Sequence, residues 1–480
     1  MKKTLPLVAG LISLVALAGA CAATPGPAPR LQDNRAEVTR QAERVLIRYS
    51  LDRDAPAWVF TDSALTREQR RPWRAQQWRV LTPGVVLDRA GFYDVLRTVD
   101  GSSVPRTVEI EARPRSVDLE AEYPTLAFSN GAIALPTRQA NLFPAKSLAE
   151  VAALPSDLNG VSIPTPPIEV VWRDEAGPVL YAGQRWPRLI TRMERSYVLM
   201  GQVDVTEGEG LTAVIDPALP QWMASTLAEA APATGRWYRQ RLGPASAGAQ
   251  KPVLMAAWNG PTERMTSMGG SVLPGLIVMN FEGRGIVEPD DEIRERALWF
   301  IAHEAAHFWL GQAVRYEYAR DAWITEGGAD LMAVRALKAR DPAYDDRAEL
   351  QTEVDDCVAR ADQPLATAGE RGEHRAYYAC GAVIALAAEA VQKRRGGGDF
   401  LDFIGPLIDA NREDGVLSRA EWLDALARLS GDARLIEAIE HLLDRGAADP
   451  VAHVASLLDR AGVAHRVVQG RIVLADQANG

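Results

Sequence analysis

The sequence predicts a multidomain α+β protein, with a β-sandwich-like N-terminal domain, a mixed central domain and a mostly helical C-terminal region. Between residues 34 and about 204, short apolar segments of partly alternating pattern are separated by Pro, Gly and Asp, which is typical of strands joined by turns. From Leu211 onward, helical runs are combined with strand-like runs, an order that suits an α+β unit. Three glycines at 396–398 mark a break before the last helical segments.

The chain of 480 residues is long enough for two or three such cores. Its pattern divides it into five segments: a signal segment (1–20), a Pro-rich tether (21–33), the β-rich domain (34–205), the central domain (206–395) and the C-terminal region (396–480).

The N-terminus has the pattern of an export signal. An apolar run, Leu5–Ala18, follows two lysines and is too short to span a bilayer. Small residues then precede Cys21, which is similar to the processing site of bacterial lipoproteins, where the cysteine becomes the lipidated first residue. Ala22 resembles the outer-membrane sorting pattern of Gram-negative bacteria. We therefore expect an exported protein, lipid-anchored at the outer membrane and facing the periplasm; a soluble periplasmic protein cut after Ala20 is the alternative.

The β-rich domain is predicted from short runs of β-branched and aromatic residues, among them Val45–Tyr49, Val108–Glu111 and Ile168–Trp172. No histidine occurs before His303, so metal chemistry is not expected in this domain. Its expected role is to support or border the functional cleft, with an independent binding module as the alternative.

Two histidines four residues apart are the central feature of the chain. The segment His303-Glu304-Ala305-Ala306-His307 lies in a helix predicted from Asp291 to Val314. Residues four apart share one face of a helix, so His303 and His307 can aim their imidazoles at one point. A catalytic zinc takes three protein ligands and keeps one position for water. The spacing therefore predicts one Zn²⁺, with Glu304 placed to work on that water.

Glu326 is the predicted third ligand, and it follows His307 after eighteen residues. It begins a second predicted helix, which ends at Arg340. Asp330 lies four residues further on the same helical face. A zinc-bound histidine usually passes its other N–H to a carboxylate, which fixes the ring. Asp330 is predicted to serve in this way, with a solvated surface acid as the alternative.

These residues resemble the gluzincins, and in detail the aminopeptidase N-like family, whose catalytic domain is thermolysin-like. The family pattern is HExxH followed after eighteen residues by Glu in a Trp-x-x-Glu-Gly segment, and Trp323, Glu326 and Gly327 match it. The resemblance covers about residues 210–400 and implies a thermolysin-like zinc peptidase domain at 206–395. It also implies that Tyr378 donates a hydrogen bond to the oxyanion of the reaction. The adjacent Tyr377 is the alternative.

The chain departs from this family on one strand. The aminopeptidases carry a Gly-x-Met-Glu-Asn strand whose Glu binds the free α-amine of the substrate, and the matching stretch here is Gly269-Gly270-Ser271-Val272. Val272 stands at the Glu position and cannot pair with an ammonium. We therefore expect this strand to bind the backbone of substrates through main-chain hydrogen bonds.

Cysteine content agrees with export. If Cys21 carries lipid, Cys357 and Cys380 remain as a pair in an oxidising compartment. A disulfide between them would hold in place the segment that contains Tyr378. Two buried free thiols are the alternative.

The C-terminal region is predicted to contain several helices and a hairpin around Gly470. Ser418 with Glu421 has the pattern of a capping box. The helical segments are Phe400–Asp409, Arg419–Leu429 and Leu435–Asp444.

The net charge of −10 disfavours nucleic acid and anionic headgroups as partners. The predicted function is zinc-dependent hydrolysis of peptide or protein substrates by water that Glu304 activates, in an enzyme other than a strict aminopeptidase. Two alternatives stay open. One is an amidase or deacylase that acts on a non-peptide amide, and the other is a non-catalytic binding lipoprotein on a peptidase scaffold.

Overall fold

The computed structural model describes residues 34–120, 123–155, 158, 161–163, 168–208, 211–245 and 252–475. The predicted signal segment, Cys21 and the tether lie outside these ranges. Within them, no helix combines the length and the apolar character needed to cross a membrane.

The N-terminal domain is built from short strands and two short helices, α1 (Trp73–Gln77) and α2 (Leu148–Ala152). The strands are β1 (Arg35–Gln41), β2 (Arg44–Ser50), β3 (Ala57–Phe60), β4 (Trp78–Val80), β5 (Val85–Ala90), β6 (Tyr93–Thr98), β7 (Thr107–Ala112), β8 (Leu126–Ala127), β9 (Ile133–Pro136), β10 (Leu142–Ala145), β11 (Glu169–Asp174), β12 (Val179–Tyr181), β13 (Gln184–Trp186), β14 (Leu189–Thr191) and β15 (Tyr197–Met200).

These strands form three sheets, with the orders β14-β11-β1-β2-β7-β4, β10-β3-β6-β5 and β13-β12-β15-β9-β8. Alternate residues of β2 point inward, so that Val45, Ile47 and Tyr49 are buried while Arg44 and Arg48 are exposed. Their side chains join Trp58 and Phe60 of the second sheet in one core, which gives the sandwich-like packing expected from the sequence.

The central domain contains a mixed sheet of order β16-β17-β18-β20-β19, which places β19 at an edge. The strands are β16 (Thr206–Gly208), β17 (Leu211–Ile215), β18 (Val253–Trp258), β19 (Ser267–Leu273) and β20 (Leu276–Glu282). β17, β18 and β20 run parallel, and β19 pairs antiparallel to β20. A long helix, α3 (Gln221–Leu242), follows β17 and shares the core that this sheet forms with the helices after it.

Asp216 ties the N-terminal domain to this sheet. It is buried, and its carboxylate accepts hydrogen bonds from the backbone N–H of Ser129 (2.9 Å) and of Trp258 (3.2 Å). The buried carboxylate therefore has its hydrogen-bond partners. Because Ser129 belongs to the N-terminal domain and Trp258 to the central sheet, Asp216 holds the two domains in contact at this point.

Four helices follow the sheet, and they carry the residues of the predicted metal site and their supports. They are α4 (Asp291–Ala306), α5 (Trp323–Arg340), α6 (Asp346–Val358) and α7 (Arg375–Arg395). Asp290 caps α4 by accepting a hydrogen bond from the N–H of Ile293.

Two predicted helix bounds are wrong. The first helix ends at Ala306, where turns begin, and it cannot run on to Val314 because Gly311 adopts φ +143°, a non-helical backbone conformation that favours glycine. The second helix begins at Trp323, three residues before Glu326. Ile324 and Thr325 have low helix propensity, but their burial in the core outweighs it.

The C-terminal region adds α8 (Phe400–Ala410), α9 (Arg419–Ser430), α10 (Ala433–Asp444) and α11 (Pro450–Ala461), with the short strands β22 (Val416–Leu417), β23 (His465–Val468) and β24 (Arg471–Leu474), and the central domain contributes the short strand β21 (Arg315–Tyr316). β21 lies between α4 and α5 and pairs with β22. β23 and β24 form a hairpin at Gly470, and the capping box of Ser418 and Glu421 is present.

The glycine run at 396–398 connects α7 to α8 without separating their cores. Trp422 of α9 packs edge-on against Trp323 of α5, with ring centroids 5.1 Å apart, and Phe400 lies beside Gly328. One apolar cluster therefore holds the central helices and the C-terminal helices together. The predicted fold class, α+β with a β-rich N-terminal domain and a helical C-terminal part, is confirmed.

Candidate metal centre

His303, Glu326 and His307 converge at one point between α4 and α5. The Nε2 atoms of His303 and His307 are 3.0 Å apart, and Oε2 of Glu326 lies 3.7 Å and 3.4 Å from them. Among the described residues this is the one group of His, Cys, Asp or Glu side chains whose ligand atoms cluster this closely, within 4.8 Å.

The three donors fit a zinc ion. Tetrahedral zinc with bonds of about 2.0–2.1 Å to nitrogen and oxygen separates its ligand atoms by roughly 3.3 Å, close to the distances found here. Oε2 of Glu326 is buried and makes no hydrogen bond to the described part of the chain. A buried carboxylate oxygen without a hydrogen bond is costly, and a cation between it and the two imidazoles would satisfy it better than the 3.4 Å contact with His307 does.

The tautomer of His307 is set by its surroundings. Its Nδ1 lies 2.9 Å from the carbonyl oxygen of Leu310, which can only accept, so Nδ1 carries the hydrogen. This leaves Nε2 to face the cluster. The turn that ends α4 therefore also orients a ligand.

The two histidines have opposite pKa shifts. Burial lowers the pKa of His303 to about 4, with the charge of His307 adding to the effect. Burial also acts to lower the pKa of His307, but the Glu326 carboxylate outweighs it and raises that pKa to about 9. Burial acts to raise the pKa of Glu326, but its interaction with His307 outweighs burial and lowers that pKa. Without metal, His307 therefore holds a proton at neutral pH that a metal would displace.

His303 is held on three sides. Its Nδ1 lies 2.7 Å from Oδ1 of Asp330, although the ring is not aligned well enough for a full hydrogen bond. Trp299 stacks on the imidazole at 5.3 Å between centroids, and Tyr378 stacks on it at 5.8 Å. The predicted partner of the His303 ring is thus in place, and Asp330 is buried rather than a solvated surface acid.

Glu304 lies next to the ligands and is 8% exposed. Burial raises its pKa above the ordinary value for Glu, while the charges of His303 and His307 act to lower it. A carboxylate whose pKa is raised towards neutrality is suited to take up and return a proton.

Tyr378, and not Tyr377, faces the ligands. Burial and the nearby Glu326, with which its hydroxyl makes a hydrogen bond, raise the pKa of Tyr378, so its hydroxyl keeps its proton at neutral pH. The hydroxyl of Tyr377 instead accepts a hydrogen bond from the N–H of Gly369 at 3.1 Å. Helical geometry turns neighbouring residues about 100° apart, so only one of the two can face this point.

Cys357 of α6 and Cys380 of α7 form a disulfide. It joins the two helices beside the segment that carries Tyr378, in a fully buried position. Neither cysteine is left free for other chemistry.

The predicted substrate-binding strand is β19. An interdomain cleft of about 1700 Å³ runs between the N-terminal domain and this edge strand, and Gly269, Gly270 and Ser271 line it. Val272 is not among the lining residues; it packs against the core that contains α4. The metal ligands do not line this cleft either, so the cleft and the metal cluster are neighbouring features, linked by the packing of Phe300 against Gly270.

Three residues near the ligands were not predicted. Trp299 lies one turn before His303, and its spacing could have revealed its position on the ligand face. Tyr316 of β21 is half-buried, and its pKa is raised by burial and by Glu326. Arg375 of α7 lies 3.7 Å from Asp330. No local pattern marks Tyr316 or Arg375, because long-range packing brings them to the site.

No protein-family model matches the chain, and no curated protein matches it. Solved structures do. Yeast LTA4 hydrolase in complex with bestatin is 11% identical, with a TM-score of 0.49 over 86% of this chain and 67% of that one. An M1 zinc metallopeptidase from Deinococcus radiodurans is 14% identical, with a TM-score of 0.44 over 86% of this chain and 93% of that one. Both likenesses are distant.

Proposed function

We propose that this protein is a zinc metallopeptidase in which His303, His307 and Glu326 hold the metal. The observation that supports this most strongly is the convergence of three ligand atoms within 4.8 Å, with the buried acid Glu304 directly beside them. A structural histidine pair would have no need of a carboxylate oxygen that is buried between the two rings and makes no hydrogen bond with the described residues.

The roles of the protein groups follow from their positions. A zinc ion in this site would polarise a carbonyl and lower the pKa of a bound water to about 7. Glu304 takes the proton of the attacking water and passes it to the departing amine. Tyr378 turns its hydroxyl from Glu326 towards the oxyanion and donates a hydrogen bond to it. Asp330 keeps the His303 ring oriented throughout.

Substrates are proposed to be peptides or proteins held along their backbone. β19 is an edge strand, so one side of its main chain is available to pair with an extended peptide. The interdomain cleft follows this edge and offers room for residues beyond the scissile bond. Val272 provides no charge for a free amine, which speaks against a strict aminopeptidase.

The site is proposed to work outside the cytoplasm, on a lipid anchor at Cys21. Support comes from the signal pattern of the first residues and from the Cys357–Cys380 disulfide, since structural disulfides form mainly in oxidising compartments.

The first test is the metal content of the purified protein beside His303→Ala. We expect one zinc per chain in the wild type and its loss in the variant. Glu304→Gln should keep the zinc and lower the rate of hydrolysis by about 10²–10⁴-fold, the usual contribution of a general base. Wild-type protein that takes up no zinc would overturn the proposal.

A substrate panel then tests the peptidase assignment. Peptides with free and with acetylated N-termini should be cleaved at similar rates, because the Val272 side chain carries no charge that could bind a free amine. Cleavage of acylated amides without cleavage of any peptide would instead identify an amidase or deacylase. A phenotype that Glu304→Gln leaves unchanged would point to a binding role.

A further inference from the structure

Asp330 is a buried carboxylate directly behind the proposed ligand His303. It is 1% exposed, and neither of its oxygens completes a hydrogen bond with another described residue. One oxygen lies 2.7 Å from Nδ1 of His303. A carboxylate in such a place needs a positive charge nearby and something to hold its direction.

The guanidinium of Arg375 brings a positive charge within ion-pair distance of this carboxylate. It contacts three acids: Nη1 is 3.7 Å from Oδ2 of Asp330, Nη2 is 2.7 Å from Oε1 of Glu353, and Nε is 2.9 Å from Oδ2 of Asp356. Glu353 is itself 2% exposed and Asp356 is partly exposed. Because both lie on α6, the guanidinium is fixed at one end by α6 while its remaining nitrogen points to Asp330 on α5.

We propose that Arg375 is a positioning residue of the metal centre: held on α6 by Glu353 and Asp356, it keeps the Asp330 carboxylate against His303 and so fixes the direction in which His303 presents Nε2. The inference rests on the metal-binding part of the proposed function and not on the identity of the substrate.

The planar fork of arginine suits this task. A guanidinium can meet acids in three directions at once, whereas a lysine ammonium is a single point on a flexible stem. The competing account is an ordinary ion-pair network that joins α6 to α7 and has no effect on the metal. That account predicts lower stability on loss of Arg375 but an unchanged metal environment.

Arg360 provides a matched control. It is also partly buried, and its guanidinium contacts the same Asp356 at 2.8 Å, but no contact between it and Asp330 is seen in the described structure. Arg360→Met therefore removes an arginine from the same acidic cluster without touching the proposed chain from Arg375 to His303.

The experiment measures zinc affinity in the full-length protein by competition with a chelator of known affinity. It also records the visible spectrum after substitution with Co²⁺, which reports ligand geometry. Arg375→Met should weaken zinc binding about 10–100-fold, the usual effect of losing a partner behind a ligand, and shift the Co²⁺ bands. Arg375→Lys should recover part of the affinity, and Arg360→Met should match the wild type.

A double variant covers the case in which Arg375→Met does not fold. Glu353→Gln with Arg375→Met removes a buried acid together with its cation, so no unpaired charge is left between them. If a folded Arg375 variant binds zinc as tightly as the wild type and with the same Co²⁺ spectrum, the inference is overturned while the proposed function stands. If the wild type itself binds no zinc, both are overturned.

Discussion

Gly327 of α5 and Gly381 of α7 are in backbone contact. A Cβ on Gly327 would lie 2.0 Å from the carbonyl carbon of Gly381, and one on Gly381 would lie 2.4 Å from the carbonyl oxygen of Trp323. Glu326 immediately precedes one glycine, and Tyr378 lies one turn before the other. The distance between a proposed metal ligand and the proposed oxyanion donor is therefore set by two residues without side chains.

Gly327→Ala should push α5 and α7 apart. We expect a loss of about 1–3 kcal/mol in the free energy of unfolding, the usual cost of overpacking, and a zinc content below one per chain. Thermal unfolding and metal analysis check this. Gly235→Ala in α3 is the control, since its added methyl meets no atom within 4 Å; it should leave zinc content unchanged. A Gly327→Ala protein with full zinc and normal stability would contradict the role of this contact.

The two adjacent glycines of β19 should respond differently to alanine. A Cβ on Gly270 would come within 2.3 Å of the Val278 carbonyl oxygen and 2.8 Å of the Phe300 ring, whereas one on Gly269 meets nothing within 4 Å. Gly270→Ala should therefore lower the melting temperature and disturb α4, while Gly269→Ala should not. Equal melting temperatures for the two variants would show that β19 shifts freely relative to α4.

Zinc uptake should release at least one proton near pH 7. The pKa of His307 is raised to about 9 and that of His303 is lowered to about 4, so at neutral pH the first is charged and the second is neutral. Zinc binds neutral imidazole, so a proton must leave His307. Between these two values the zinc affinity should fall about tenfold for each unit by which the pH is lowered.

Calorimetry in two buffers of different ionisation enthalpy measures this release directly. At pH 7 the heat of zinc binding should differ between the buffers by at least the ionisation enthalpy of one proton, because the proton displaced from His307 adds to any proton that zinc-bound water loses. The same heat in both buffers at pH 7 would mean that His307 is already neutral.

Replacement of both Cys357 and Cys380 by serine should lower the free energy of unfolding by about 3 kcal/mol, as expected for a cross-link of this sequence separation. Chemical denaturation of the variant, compared with wild type before and after reduction, checks this. The reduced wild type should resemble the double variant. Oxidised wild type with the stability of the double variant would contradict a stabilising cross-link.

Much of the metal site follows from local sequence, because the spacing of His303 and His307 on a helix fixes their common face. The end of that helix did not follow, because it depends on the conformation of Gly311 and on a hydrogen bond between the His307 ring and a carbonyl three residues away. Arg375 lies outside any local pattern, since three helices, α5, α6 and α7, have to pack before its guanidinium reaches Asp330.

The fold class was predictable from the alternation of strand-like and helical patterns, but the extent of the cores was not. A glycine run indicates a bend in the chain, and it does not reveal whether the segments on either side pack together. Trp323 and Trp422 show that they do, through a contact that joins residues far apart in the sequence.

This contact has a consequence for how the protein matures. The chain emerges N-terminus first, from the ribosome or from a secretion channel, and every proposed metal ligand has emerged by Glu326. The part of α5 around Trp323 and Gly328 nevertheless stays open to water until Phe400 and Trp422 have followed to cover it. Stable capture of the metal thus belongs to a late stage of folding, because a chain cut short after α7 would carry all three ligands while the part of α5 that packs on Phe400 and Trp422 stays uncovered.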